Sequence, residues 1–74
     1  MTDKELNHKI SAAVTRLRIN NGYSSALKFA HEVGFCGSHY QRVESGQGIT
    51  LKTLNKILNA HNLTFKEFAE KELK

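Results

Sequence analysis

Apolar side chains recur along the chain at the three- and four-residue spacing that places them on one face of an α-helix. The first such stripe predicts a helix over about residues 3–20, ended by Asn20-Asn21-Gly22. The stripe consists of Leu6, Ile10, Ala13, Val14 and Leu17. Turn and cap signals come at shorter intervals in the rest of the chain, so the remaining helices are predicted to be short.

A second helix is predicted to run to residue 33. Ser24 and Ser25 are its N-cap candidates, because a short side-chain oxygen can accept from the free N–H groups of a first helical turn. Gly34 ends the helix, since glycine adopts the left-handed conformation without a Cβ clash. Phe35 follows and is predicted to be a buried anchor. The inner face of the second helix consists of Phe29, Ala30 and Val33.

Three more helices complete the pattern. The third is predicted over Gly37 to Ser45, and the Gly46-Gln47-Gly48 loop separates it from a fourth that Thr50 caps and that closes near Asn62. The fifth opens with Thr64-Phe65-Lys66-Glu67, which has the spacing of a capping box. The inward residues of these helices are Tyr40 and Val43, then Leu51, Leu54, Ile57 and Leu58, then Phe65, Phe68 and Ala69. Because no strand is needed, the predicted fold is a compact all-α bundle of five helices, with one domain over residues 1–74.

Composition narrows the class of protein. The 74 residues contain no proline, and 11 basic against 7 acidic residues give a net charge of +4, which suits a polyanionic partner. The single cysteine, Cys36, cannot form an internal disulfide, and four histidines without a second thiol do not have zinc-finger spacing. We therefore expect a cytoplasmic protein with no metal and no cofactor. No apolar run reaches the length of a membrane span, so no membrane partner is expected.

The stretch Ala26 to Glu44 has the spacing of two helices joined by a tight turn, with the outer face of the second helix exposed. At this point the sequence resembles the Cro and phage-repressor type of helix-turn-helix protein, often called the XRE family. The resemblance covers about residues 6–69. It is carried by Leu17-Arg18 before Gly22, Phe29-Ala30 before Gly34, Tyr40-x-x-Val43-Glu44-Ser45-Gly46, and the leucine-rich helix after Thr50. It implies a lambda-repressor-like bundle whose helices 2 and 3 form the helix-turn-helix.

The resemblance also implies roles for individual residues. Helix 3 would enter the major groove of DNA, where Arg42 can bond O6 and N7 of guanine and Gln41 can bond adenine. Base readout would use Ser38, His39, Gln41 and Arg42, with Gly37 at the helix start. Phosphate contacts would come from Ser24, Ser25, Ser45, Gln47, Thr50 and Lys52. Arg18 and Glu44 would form a structural ion pair. For Gln41 and His39 the alternative is plain solvent exposure, and for the serines it is N-capping alone.

The chain departs from the family pattern where contacts would begin. Ala26 stands where relatives often carry a phosphate-binding Gln, and Cys36 and Gly37 replace polar residues at the start of helix 3. His61 occupies what is often a buried leucine position, and we expect a core or boundary histidine there and not a metal ligand. Charge is also unevenly divided. Residues 25–48 are neutral, whereas residues 1–24 and residues 49–74 each carry +2.

The sequence therefore predicts a sequence-specific DNA-binding regulator of the repressor type, acting as a homodimer on a two-fold operator. Phe65, Phe68 and Leu73 of the last helix are the expected dimer contact, unless they close the monomer core. The alternative is a protein-interaction module or antitoxin-like component that acts mainly through a protein partner. An enzyme is not expected, because no nucleophile and base occur at a recognisable spacing.

Overall fold

The described part of the chain folds into five α-helices. The computed structural model describes residues 2–73, and no strand occurs among them. The helices are α1 (Asp3–Asn20), α2 (Ala26–Val33), α3 (Gly37–Glu44), α4 (Leu51–Ala60) and α5 (Phe65–Glu72). The predicted all-α class, the number of helices and their order are confirmed. None of the helices within residues 2–73 combines the length and apolarity needed to cross a membrane.

Four of the helices begin at a side-chain cap that the sequence supplies. In each, a hydroxyl oxygen accepts a hydrogen bond from the backbone N–H three residues later. The caps are Thr2, Ser25, Thr50 and Thr64. The capping box of Thr64 and Glu67 is confirmed, because each side chain accepts from the backbone of the other. The exception is α3, whose N-cap Cys36 makes no side-chain cap bond, so the start of α3 depends on packing against its neighbours.

The turn between α2 and α3 is set by one backbone conformation. Gly34 has φ +82°, as predicted, and the N–H of Phe35 donates to the carbonyl of Ala30 at 2.8 Å. This left-handed ending satisfies carbonyls of the last helical turn and redirects the chain at once. It places α3 only three residues after α2, so the two helices pack closely.

Among residues 2–73, ten buried apolar side chains form one core, with Phe29 at its aromatic centre. The Phe29 ring lies 4.9 Å from that of Tyr23 and 5.1 Å from that of Tyr40, measured between centroids. The radius of gyration is 11.3 Å, which equals the value of about 11 Å expected for a compact chain of this length. The core consists of Ala13, Val14, Phe29, Ala30, Tyr40, Val43, Leu54, Ile57, Leu58 and Phe68.

Several residues predicted to face inward lie at the surface. Leu6 is 39% exposed, Leu51 73% and Phe65 47%. Leu51 and Phe65 are the first residues of their helices, and helical side chains lean toward the N-terminus, so these two project past the end of the helix. Phe35, predicted to be buried, is only partly so. The amino group of Lys56 covers it instead, 4.6 Å from the ring centroid.

Candidate functional site

A nearly buried ion pair ties α1 to α3. The guanidinium of Arg18 donates from Nε to Oε2 of Glu44 at 2.8 Å and from Nη2 to Oε1 at 3.1 Å, and its Nη1 donates to the carbonyl of Tyr23 at 2.7 Å. The two side chains are only 8% and 12% exposed. The hydrogen bond to Glu44 raises the pKa of Arg18 above its ordinary value. The predicted pair is present, and because its two charges satisfy each other, it holds α3 at a defined orientation.

The hydroxyl end of Tyr40 is buried in the same region. Burial raises the pKa of Tyr40 above its ordinary value, and the nearby carboxylate of Glu44 adds to the effect. The hydroxyl oxygen itself makes no hydrogen bond to another described residue. Tyr40 therefore stays neutral and serves as a core residue, with Val43 beside it on the inner face of α3.

The opposite face of α3 is polar and exposed. Each of the four residues predicted to read bases is exposed, namely Ser38, His39, Gln41 and Arg42. The hydroxyl of Ser38 lies 3.2 Å from the thiol of Cys36, and the ring of His39 meets that of Phe35 edge-on at 6.5 Å. The ion pairs among residues 2–73 are Arg16 with Glu72 and Arg18 with Glu44. Neither uses Arg42, whose guanidinium can therefore meet an external acceptor.

The predicted phosphate contacts are also exposed, but several of their hydroxyls already have partners. Ser25 and Thr50 accept from the backbone N–H groups of Lys28 and Thr53. The hydroxyl of Ser45 donates to the carbonyl of Arg42 at 2.8 Å. At the starts of α2 and α4, an anion can therefore interact with the free backbone N–H groups and with the positive end of the helix dipole. The exposed set is Ser24, Ser25, Ser45, Gln47, Thr50 and Lys52.

The structure brings some of these residues together and separates others. A Cβ atom on Gly37 would lie 2.7 Å from Cδ2 of Leu27, so the starts of α2 and α3 are in contact. Ser25, two residues before Leu27, and Ser38, the residue after Gly37, lie next to this contact along the chain. Lys52 instead lines an open groove of about 400 Å³, and the groove is formed by Leu51, Lys52, Asn55 and Phe65.

Tertiary structure also changes the charge of the α2–α3 unit. Residues 25–48 are neutral as a segment, but Glu44 is paired with Arg18 from α1. The charged side chains that α2 and α3 leave exposed are Lys28, Glu32 and Arg42. The exposed surface of the unit therefore carries one net positive charge, although the net charge of residues 25–48 is zero.

His61 lies in the core, as predicted. Its imidazole stacks on the ring of Phe29, with centroids 4.9 Å apart and planes 2° apart. Both ring nitrogens are buried without a hydrogen-bond partner among the described residues, and burial lowers the pKa of His61. Within residues 2–73 no cluster of three or more His, Cys, Asp or Glu side chains has an arrangement that could hold a metal ion.

Cys36 is exposed at the start of α3. The hydroxyl of Ser38 lowers the pKa of its thiol, and the backbone N–H groups of His39 and Ser38 add to that effect. The thiol therefore forms part of the polar surface at the start of α3.

Two surface features escaped the sequence predictions. Leu27 is 53% exposed, and its signal was visible as an apolar residue on the outer side of the Phe29, Ala30 and Val33 stripe. The groove beside Leu51 had no such signal, because both of its apolar residues fit the inward spacing of their helices.

No protein-family model, curated protein or solved structure matches the chain.

Proposed function

We propose that the protein is a sequence-specific DNA-binding transcriptional regulator of the repressor type, with α2 and α3 as the helix-turn-helix unit of a lambda-repressor-like fold. The observation that carries the proposal is the two-sided nature of α3. Its inner face is locked into the core by Tyr40 and Val43 and to α1 by the Arg18–Glu44 pair. Its outer face presents only polar and charged side chains, on a helix whose width fits the major groove.

Each exposed residue of α3 has a defined chemical role in this proposal. Arg42 bonds two acceptors of guanine through its planar fork, and Gln41 pairs with adenine in the same manner. Ser38 makes a short contact, and His39 lies at the margin of the interface. Backbone N–H groups at the starts of α2 and α4, with Lys52 and the loop of residues 45–47, hold phosphates and set the register.

The proposal is tested by selecting sites from a random duplex library with the full chain at low salt. We expect one preferred sequence to emerge, and Arg42→Ala should lose about 1–3 kcal/mol and relax preference at one base pair. Arg16→Ala is the matched control, because it removes the same charge from α1, where Arg16 pairs with Glu72, and it should retain the base preference. Recovery of no preferred sequence would refute the proposal, whereas a uniform loss in Arg42→Ala would make Arg42 a phosphate contact.

The regulator is proposed to act in the cytoplasm as a homodimer, because one helix reads only a few base pairs. Of the expected dimer contacts on α5, Phe68 is fully buried in the monomer core and cannot serve, whereas Phe65 is half-exposed beside Leu51. We place the contact at Phe65. Sedimentation with and without a selected duplex should show two protomers for each two-fold site, and Phe65→Ser should weaken this pairing.

The groove of α4 and α5 also favours a second candidate function, a module that binds a partner protein. Its apolar side chains lie beside Lys52, so the fitting partner segment carries an apolar residue next to carboxylates. This candidate replaces the first if site selection fails and a purified partner forms a stoichiometric complex. Phe65→Ser should break that complex, and Gln41→Ala on the α3 face should leave it intact.

A further inference from the structure

An exposed apolar side chain stands where the starts of α2 and α3 meet. Leu27 is the second residue of α2 and is 53% exposed. Its Cδ2 atom lies 2.7 Å from the position that a Cβ on Gly37 would occupy. The side chain of Leu27 therefore fills the space that a side chain on the first residue of α3 would take.

The N-terminal end of α3 therefore presents the methyl groups of Leu27, not a polar side chain of its own first residue. Gly37 offers no side chain, and the neighbouring thiol of Cys36 faces the hydroxyl of Ser38 at 3.2 Å. Before Gln41, the one long polar side chain on this face of α3 is that of His39, whose ring lies edge-on to Phe35. A duplex that approached α3 would therefore meet the methyl groups of Leu27 at the position where the helix begins.

The major-groove edge of DNA carries one apolar group, the C5-methyl of thymine. We propose that Leu27 is a specificity-determining residue that packs against this methyl group, so that the base facing the start of α3 is thymine. The inference rests on the proposed function, because it requires α3 to enter the major groove. It assigns to α2 a direct base contact made through a side chain that lies over Gly37.

Other exposed apolar residues do not fit this role. Ile19 lies in the last turn of α1, and Leu51 and Phe65 form the groove of α4 and α5. Leu27 alone among the large exposed apolar residues within 2–73 contacts the first residue of α3. Exposure to water gains nothing for a leucine, whereas covering a methyl group removes apolar surface from water on both sides of the contact.

The test removes the methyl group without changing any hydrogen-bonding group of the base pair. In a selected duplex, each thymine is replaced in turn by deoxyuridine, and affinity is measured for wild type and Leu27→Ala. One position should show about a four-fold loss in the wild type, the effect of one buried carbon group. Leu27→Ala should bind the thymine and deoxyuridine duplexes equally. Deoxyuridine elsewhere in the site is the matched control.

A second measurement needs no variant and covers the case in which Leu27→Ala fails to fold. The same position is changed to cytosine or to 5-methylcytosine, and the methylated duplex should bind the wild type about four-fold tighter. Equal affinities in both comparisons would overturn the inference, as would a methyl effect that persists in folded Leu27→Ala. A wild type that binds no duplex at all would instead overturn the proposed function.

Discussion

Replacing His61 with leucine should stabilise the protein and change how its stability depends on pH. The imidazole is 9% exposed, stacks on Phe29 and has two ring nitrogens without hydrogen-bond partners. An unpaired buried polar group costs about 1–3 kcal/mol, whereas the stacked aromatic contact is worth about 0.5–1.5 kcal/mol. Leucine removes both contributions, so His61→Leu should gain about 1 kcal/mol at pH 8, where histidine is neutral in either state.

The gain should grow in acid. Burial lowers the pKa of His61 in the folded protein, while the unfolded chain takes up the proton near the ordinary value of about 6.5. The unfolded state therefore binds more protons below that pH, and the free energy of unfolding falls as pH falls. At pH 5.5, one unit below the unfolded pKa, the wild type should lose at most about 1.4 kcal/mol that His61→Leu retains, the limit in which the folded protein takes up no proton at His61.

Urea unfolding followed by circular dichroism at pH 5.5 and pH 8, at constant ionic strength, measures both effects. His31→Leu is the matched control, because His31 is exposed at the end of α2 and the same chemical change is then made outside the core. If the advantage of His61→Leu is the same at both pH values, the imidazole is not buried without partners and the reasoning fails.

The remaining predictions concern the ion pair, the turn and the phosphate contacts. Arg18→Ala leaves the carboxylate of Glu44 buried without a partner, so thermal unfolding should show a loss of about 3–5 kcal/mol; unchanged stability would contradict the structural role of the pair. Gly34→Ala forces a Cβ into a left-handed conformation and should cost about 1–2 kcal/mol by urea unfolding, and a neutral effect would rule out strain at this turn. Lys52→Ala should weaken binding to all duplexes and reduce the slope of log affinity against log salt by about 1, and a sequence-dependent loss would show that Lys52 does not act through phosphate.

Local chemistry explains why much of the fold could be predicted. A hydroxyl such as that of Thr50 or Thr64 satisfies backbone donors within its own first turn, so the cap can be recognised from neighbouring residues alone. The same holds for Gly34, whose left-handed conformation depends on the missing Cβ. The helix bounds followed from these signals, and the buried stripe of Leu54, Ile57 and Leu58 followed from periodicity.

Periodicity failed at the first residues of α4 and α5. The spacing of Leu51 and Phe65 predicts which face of the helix their side chains occupy. It does not predict how far a neighbouring helix extends, and so whether these side chains are covered. Burial at a helix end is a property of two elements, so the groove between α4 and α5 could not be derived from either stripe.

For the candidate site as well, some properties follow from residue spacing and others do not. Helix periodicity places Ser38, Gln41 and Arg42 on the polar face of a helix whose other face carries Tyr40 and Val43, because an α-helix has 3.6 residues per turn. It did not determine their electrostatic setting or the chemistry at the start of α3.

Those properties depend on contacts between residues far apart in the chain or on different helices. The family resemblance implied the pair of Glu44 with Arg18, but the contacts in space show that the pair is nearly buried and leaves a net positive charge on the exposed α2–α3 surface. Only the packing of α2 on α3 places the methyl groups of Leu27 over Gly37. Two charges neutralise each other, and one side chain fills the space of another, only when they lie within a few ångströms of each other. The number of residues between them in the sequence does not give that distance.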